Sequence, residues 1–346
     1  MSNNVMKAVV IHEHGGVEKL RYENVQIPAI REDEVLVEIK ALALNHLDLW
    51  VRQGLPAFKL SMPHILGSDA AGIVSKAGKF VNNVRVGDPV LLAPGWGCGY
   101  CPHCLAGDDN LCRNYQILGE TTNGVYAEYV KVPATNAFPL PEGLNFTEAA
   151  AVPLVFLTAW HMLVHQVKIK PGQTILVLAA GSGVGSAAIQ IAKLFQANVI
   201  ATASSEAKLQ KAKELGADDT IQYQKKDFLK EVKRLTGKQG VDVVFEHVGE
   251  ATWAQSIKAL RKGGTLVTCG ATSGHDAVTD LRYVFFKELK ILGNLMGRKS
   301  DLREALQFFP HKLKPVIDRI MPLKEVARAH QLLMQREQFG KIVLTP

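Results

Sequence analysis

Between positions 174 and 295 the chain passes through six short apolar segments, at 174–179, 198–203, 220–223, 241–248, 264–270 and 289–295, with amphipathic stretches between most of them. Parallel strands cannot be joined by tight turns and need long crossovers, usually helical. This alternation therefore predicts an α/β domain built on a doubly wound parallel sheet. The pattern before it differs. From Lys7 to about Val132 short alternating runs, such as 34–39, 72–74 and 89–92, are separated by turn residues and read as mostly antiparallel strands.

A chain of 346 residues holds two domains at roughly 150 residues each. The tail reads strand (315–321), helix (323–336), strand (341–345), and is expected to fold back onto the first domain. The expected division is 1–153 with 298–346, and 154–297. With 47% hydrophobic and 21% charged residues, disorder and collagen-like repeats are excluded. The most apolar stretch, 149–164, is broken by Pro153, Thr158 and His161 and falls short of the roughly 20 residues that cross a bilayer, so it is expected to be buried in protein. The first residues lack the basic region, apolar core and cleavage site of an export signal, and a cytoplasmic location without membrane contact is expected. The net charge of +7 is scattered, with no basic cluster interleaved with aromatics, so no nucleic-acid partner is expected. A phosphate-bearing cofactor is the better use of the surplus.

The stretch Ala179-Ala180-Gly181-Ser182-Gly183-Val184-Gly185 lies between a predicted strand and a helix expected over 186–195. Small residues there let main-chain amides approach a pyrophosphate at the positive end of a helix. Ser182, Gly183, Val184 and Gly185 are the candidate dinucleotide contacts, although Ala180 and Ser182 stand where the usual pattern has its first two glycines. The next strand ends in Ala203-Ser204-Ser205, without the acid that accepts from an NAD ribose. Ser204, Ser205 and Lys208 instead suit the 2'-phosphate of NADP(H). Lys208 as a solvated surface lysine, with Glu206 weakening the phosphate site, is the alternative.

Four of the five cysteines, Cys98, Cys101, Cys104 and Cys112, lie in the segment 95–114 with the spacing C-x2-C-x2-C-x7-C. Four thiolates at this spacing close a tetrahedron around one structural Zn2+ per chain and leave no position open to substrate. Reduced thiols in a mobile loop are the alternative. Cys269, at the end of an apolar segment, reads as a core residue.

These motifs, with Lys7-Ala8-Val9, Gly67-Ser68-Asp69-Ala70-Ala71-Gly72 and Gly340-Lys341-Ile342-Val343-Leu344, resemble the medium-chain dehydrogenase/reductase superfamily over nearly the whole chain. The resemblance implies a GroES-like, mostly β catalytic domain, rejoined by the tail, and a Rossmann domain. In zinc alcohol dehydrogenases of this family three side chains hold a catalytic metal. The matching positions here read Asn45, Ser68 and Leu154, which are poor zinc ligands. The family's proton-relay positions read Leu47 and Trp50, and its tyrosine after the turn at Gly54 has no counterpart in Leu55-Pro56-Ala57-Phe58. Without a Lewis acid, forming an alkoxide from a simple alcohol is strongly uphill.

Asn45, Asp48 and Gly67-Ser68-Asp69 resemble the quinone-oxidoreductase branch instead. The expectation is an NADPH-dependent transfer of hydride to a quinone or α,β-unsaturated carbonyl, with Asn45, Asp48 and Ser68 as catalytic candidates. Asn45 could donate to a developing enolate oxygen; equally, Asn45 and Asp48 could simply bond the backbone. By resemblance, His46, Thr158, Tyr223, Gly270 and Leu295 join the cofactor contacts, with Thr158 at a helix start and the last three at strand ends. The resemblance also implies a homodimer through the edge strand near 291–295; a homotetramer is the alternative. A zinc alcohol dehydrogenase with unusual ligands such as His46 and Asp69, and an NADPH-binding sensor without turnover, are the rival readings.

Overall fold

The computed structural model describes residues 4–54 and 60–346, so the 55–58 stretch lies outside the described residues. The chain divides into two compact units, Met1–Leu154 with Arg298–Pro346, and Val155–Gly297.

In the first unit the strand Glu34–Ala43 is the organiser. It pairs antiparallel with Asp69–Ala77 and with Tyr129–Pro133, and its end pairs with Lys341–Thr345 from the tail. The tail thus completes the sheet, followed by Ile317–Pro322, parallel to it. Val35, Val37, Ile39 and Leu42 of the organising strand join Val74, Val90, Leu92, Ile342 and Leu344 in one apolar core. Register positions the chemistry. Ala43 pairs with both Asp69 and Val343, and the Leu44 amide donates to the Ile342 carbonyl at 3.0 Å. Asn45, Asp69 and Lys341 are thereby brought to one end of three neighbouring strands.

In the second unit six parallel strands lie in the order Asp219–Gln222, Asn198–Ala203, Thr174–Val177, Val241–Glu246, Leu260–Thr268, Lys290–Gly293. The order reverses beside the first strand in sequence, which leaves a crevice at the carboxyl ends of Thr174–Val177 and Val241–Glu246. The stretch 149–164 is largely buried and is split among helices Phe146–Ala150 and Pro153–Trp160 and a π-helical turn His161–Gln166. Among the described residues no helix is long and apolar enough to cross a membrane.

Several boundaries differ from the sequence reading. The helix after the glycine turn begins at Gly183, because Ser182 caps it, and ends at Leu194. The last two strands stop at Thr268 and Gly293, so Gly270 and Leu295 lie beyond them, as Tyr223 lies one residue past Asp219–Gln222. Thr158 sits in the second turn of Pro153–Trp160 rather than at its start. Proline fits the first helical position, where its missing N–H has no partner to lose.

Candidate active site and metal centre

Asn45 is the N-cap of helix His46–Gln53, in extended conformation. Asp48, at the third helical position, accepts from the Asn45 main-chain N–H at 2.9 Å, the acidic half of a capping box. The Asn45 side chain turns elsewhere. Its Nδ2 donates to Asp69 Oδ2 at 2.9 Å and its Oδ1 accepts from Lys341 Nζ at 2.5 Å. Lys341 also donates to Asp69 Oδ2 at 2.8 Å, and the Leu154 amide donates to Asp69 Oδ1 at 2.8 Å. Asp48 thus bonds the backbone, and the Asn45 carboxamide bonds the buried side chains of Asp69 and Lys341.

This arrangement fixes which way the carboxamide faces. An ammonium can only donate, so the atom it touches is the oxygen, and the NH2 group points to Asp69 with one N–H left over. Ser68, fully buried, donates its hydroxyl to the Leu118 carbonyl at 2.7 Å. Gly67 adopts φ +95, and a Cβ there would stand 2.3 Å from the Tyr126 ring, so glycine makes room for Tyr126 against this loop. The Tyr126 hydroxyl donates to Asp48 at 2.7 Å. Burial pushes the Asp48 carboxyl up to about 6, against the opposing pull of the Asn45 amide, the Tyr126 hydroxyl and Lys341. His46, half-buried, packs edge-on against Trp50 at 4.9 Å.

Lys341, Tyr126 and His330 were not among the candidates from sequence. The signal for Lys341 was a lone lysine opening the apolar run Ile342-Val343-Leu344.

The Sγ atoms of Cys98, Cys101, Cys104 and Cys112 all lie within 4.8 Å of one another. Main-chain amides orient them: the Cys98 and Asn114 N–H groups donate to Cys112 Sγ at 3.3 Å, and Cys101 caps the short helix Pro102–Leu105. The Tyr100 amide draws the Cys98 thiol down to about 6, while desolvation drives Cys104 up to about 12. Four sulfur donors converging in this way fit a closed tetrahedral zinc site. Cys269, half-buried, stands apart from this cluster, and desolvation pushes its thiol up to about 12.

In the second unit Ser182 Oγ accepts from the Gly185 amide at 2.9 Å, and His247 Nε2, which donates to the Leu178 carbonyl at 3.0 Å, lies 3.4 Å from the same hydroxyl. A Cβ on Gly185 would stand 2.7 Å from the Ala179 carbonyl oxygen, so only glycine allows helix and strand to pack this closely. Gly183 and Val184 form the first turn, whose N–H groups have no intrahelical acceptors. Ser205 caps helix Glu206–Glu214 by accepting from the Lys208 amide, and Ser204 precedes it. Thr158 is 5% exposed, and its hydroxyl has no partner among the described residues. An orphaned buried hydroxyl calls for a ligand or water. Tyr223 and Leu295 are exposed, and the Gly270 carbonyl accepts from Thr268 Oγ1. Glycine cradle, open helix terminus and orphaned hydroxyl all fit a dinucleotide.

Together the antiparallel unit with its thiol lobe and the parallel unit with its glycine turn have the two-domain plan of a class of oxidoreductases. The model for the alcohol dehydrogenase GroES-like domain matches residues 31–142 and that for zinc-binding dehydrogenase residues 183–310. The chain is 30% identical to an alcohol dehydrogenase of Schizosaccharomyces pombe, over 97% of each chain. It is 32% identical to a quinone oxidoreductase of Salmonella typhimurium, over 98% of this chain and 99% of the other. A solved NAD-dependent alcohol dehydrogenase superposes with a TM-score of 0.95 at 50% identity, covering 99% of this chain and 100% of that one. The chain belongs to the medium-chain dehydrogenase/reductase superfamily of oxidoreductases.

Proposed function

We propose that this enzyme reduces quinones or α,β-unsaturated carbonyls with NADPH, without a catalytic metal. The observation that carries the reading is the Lys341 ammonium, 2.8 Å from Asp69 and bonded to Asn45 Oδ1. A divalent ion needs negative or neutral donors with free lone pairs. Here the carboxylate already has a cation, the Asn45 oxygen accepts from that same cation, and the Leu154 side chain offers no ligand atom. A reduced nicotinamide, when bound, would supply the hydride. Asn45 then donates its remaining N–H to the acceptor's carbonyl oxygen, where charge collects as hydride adds to the conjugated carbon. Asp48 and Ser68 hold the turns that carry Asn45 and Asp69.

The cofactor rests on Ser182, Gly183, Val184 and Gly185, with Thr158, His46, Gly270 and Leu295 as further contacts. Tyr223 would line the adenosine, and Ser204, Ser205 and Lys208 would favour NADPH over NADH. The four cysteines hold one structural zinc. Ile291, in the edge strand Lys290–Gly293, and Leu295, two residues beyond it, are 39% and 54% exposed and suit a homodimer contact.

The 50% identity to an NAD-dependent alcohol dehydrogenase favours a second reading, NAD-linked oxidation of alcohols with ligands other than the family's usual three. An assay of NADPH and NADH loss against quinones, enones and aldehydes, beside alcohol oxidation, separates the two when combined with metal analysis. Chelator-resistant enone reduction with one zinc per chain is expected. Chelator-sensitive alcohol oxidation with two zinc ions per chain would establish the second reading, and tight cofactor binding without turnover a sensor. Light scattering that gives a monomer would remove the dimer.

A further inference from the structure

Next to Asn45, four groups form a single buried line. Arg52, His330 and Tyr126 are 0% exposed and Asp48 is 1% exposed. Arg52 Nη1 lies 3.0 Å from His330 Nδ1, His330 Nε2 lies 3.1 Å from the Tyr126 hydroxyl, and that hydroxyl lies 2.7 Å from Asp48 Oδ2. The same Asp48 oxygen accepts from the Asn45 amide. They come from three separate parts of the unit: helix His46–Gln53, the segment before Tyr129–Pro133, and helix Val326–Met334.

Chemistry fixes the direction of every bond in this line. A guanidinium has no lone pair to offer and keeps its protons, so His330 Nδ1 must accept. The neutral ring then carries its proton on Nε2 and donates to the Tyr126 oxygen, which leaves the single Tyr126 proton for Asp48. A second proton on His330 would face Arg52, and burial beside that guanidinium pushes the imidazole down to about 3. A proton conduit is ruled out by the same argument. A proton leaving Asp48 through Tyr126 and His330 would have to emerge from Nδ1, where Arg52 cannot receive it.

We propose that Arg52, His330 and Tyr126 are positioning residues, which hold Asp48 as an ionised acceptor for the Asn45 amide and thereby fix the turn that presents the Asn45 carboxamide. This rests on the reading of Asn45 as the donor to the acceptor's oxygen and names the residues that keep it in place. The groups that face Asp48 are Tyr126, the Asn45 amide, Lys341 and Asp69, with His330 and Arg52 behind Tyr126. Of these, Lys341 and the two donors favour the carboxylate, whereas Asp69 and burial oppose it. Asp48 is thus the member that changes charge nearest neutral pH, and its protonation withdraws the charged acceptor from Asn45.

The test is a pair of pH titrations on the full chain: kcat/KM for enone reduction, and the side-chain amide resonances of Asn45, assigned with Asn45→Asp and followed without substrate. Both are expected to show a midpoint near the Asp48 value of about 6. Tyr126→Phe removes a donor to the carboxylate and should move both midpoints up by about half a unit or more. His330→Leu should move them in the same direction. His330→Gln should restore them, because its carbonyl accepts from Arg52 while its NH2 donates to Tyr126. If Tyr126→Phe does not fold, the two His330 variants decide. Midpoints that stay in place in Tyr126→Phe and His330→Leu, whatever happens to Tm, would make the line mere scaffolding and overturn the proposal. If no enone is reduced, the catalytic reading fails by itself, and the Asn45 resonances still report whether the line governs the carboxamide.

Discussion

Lys341 opens a strand whose next three residues are apolar, and its side chain is 4% exposed against an Asp69 side chain that is 0% exposed. Such a pair persists only where geometry is good and the remaining polar atoms are bonded, because each ion costs several kcal/mol to desolvate. Asp69 meets that condition with bonds from Lys341, Asn45 and Leu154. Removing one partner strands the other. Lys341→Met and Asp69→Asn should each lose about 3–5 kcal/mol of stability, and the double variant should lose clearly less than their sum. Urea denaturation of the four proteins measures this, and strict additivity would show that the pair is not coupled. Asn45, Asp48 and Ser68 are legible in the sequence because each lies in a short contiguous motif. Lys341, Tyr126 and His330 are not, because their partners lie 296, 78 and 204 positions away and only strand register and helix packing join them.

The strand, turn and helix around Gly185 form the element most fully readable in advance, since apolar run, small residues and amphipathic helix follow one another without a break. What the pattern hides is the ends of elements. Strand Leu260–Thr268 begins earlier than hydrophobicity suggests, because Leu260 already pairs with Val241, and the polar stretch 261–264 is an irregularity before the ladder resumes at Thr265. The edge strand Lys290–Gly293 has one neighbour only and stops when that neighbour does, so its length reflects Thr268 and not its own apolar residues. Gly185→Ala tests the element directly. The new Cβ would meet main-chain oxygen at 2.7 Å and Ser182 Oγ at 2.9 Å, so helix Gly183–Leu194 must shift away from the strand. A cost of about 1–3 kcal/mol is expected from overpacking, with NADPH affinity at least roughly tenfold weaker as the amides move off the phosphates. Fluorescence titration with NADPH measures the second effect. An unchanged Kd would remove the glycine cradle from the cofactor site.

At the scale of the whole molecule, the division into an antiparallel and a parallel part is legible because the connection lengths change after position 171, but the sequence is silent on how buried charge is balanced. Among its buried charges the first unit holds two acids, Asp48 and Asp69, and two cations, Arg52 and Lys341, that connect through hydrogen bonds to Asn45. This gives the molecule a defined acid response. Asp48 is raised in the folded chain to about 6 from 3.8, so between those values the native state holds a proton that the unfolded chain has lost, and stability rises as pH falls. His330 is lowered to about 3 from 6.5, so below 6.5 the unfolded chain binds a proton that the native state refuses, and stability falls as pH falls. From pH 6 to 4 the two nearly cancel; below 4 only the histidine still acts. His330→Gln keeps the bonds to Arg52 and Tyr126 but has nothing to titrate. Relative to the parent it should gain stability steadily from pH 6.5 downward, reaching about 5 kcal/mol near pH 3 at 1.36 kcal/mol per pK unit. Urea denaturation of both proteins across pH 3–8 gives the difference curve directly. Two parallel curves would mean that His330 protonates normally in the fold, and that Arg52 does not set the direction of the buried line.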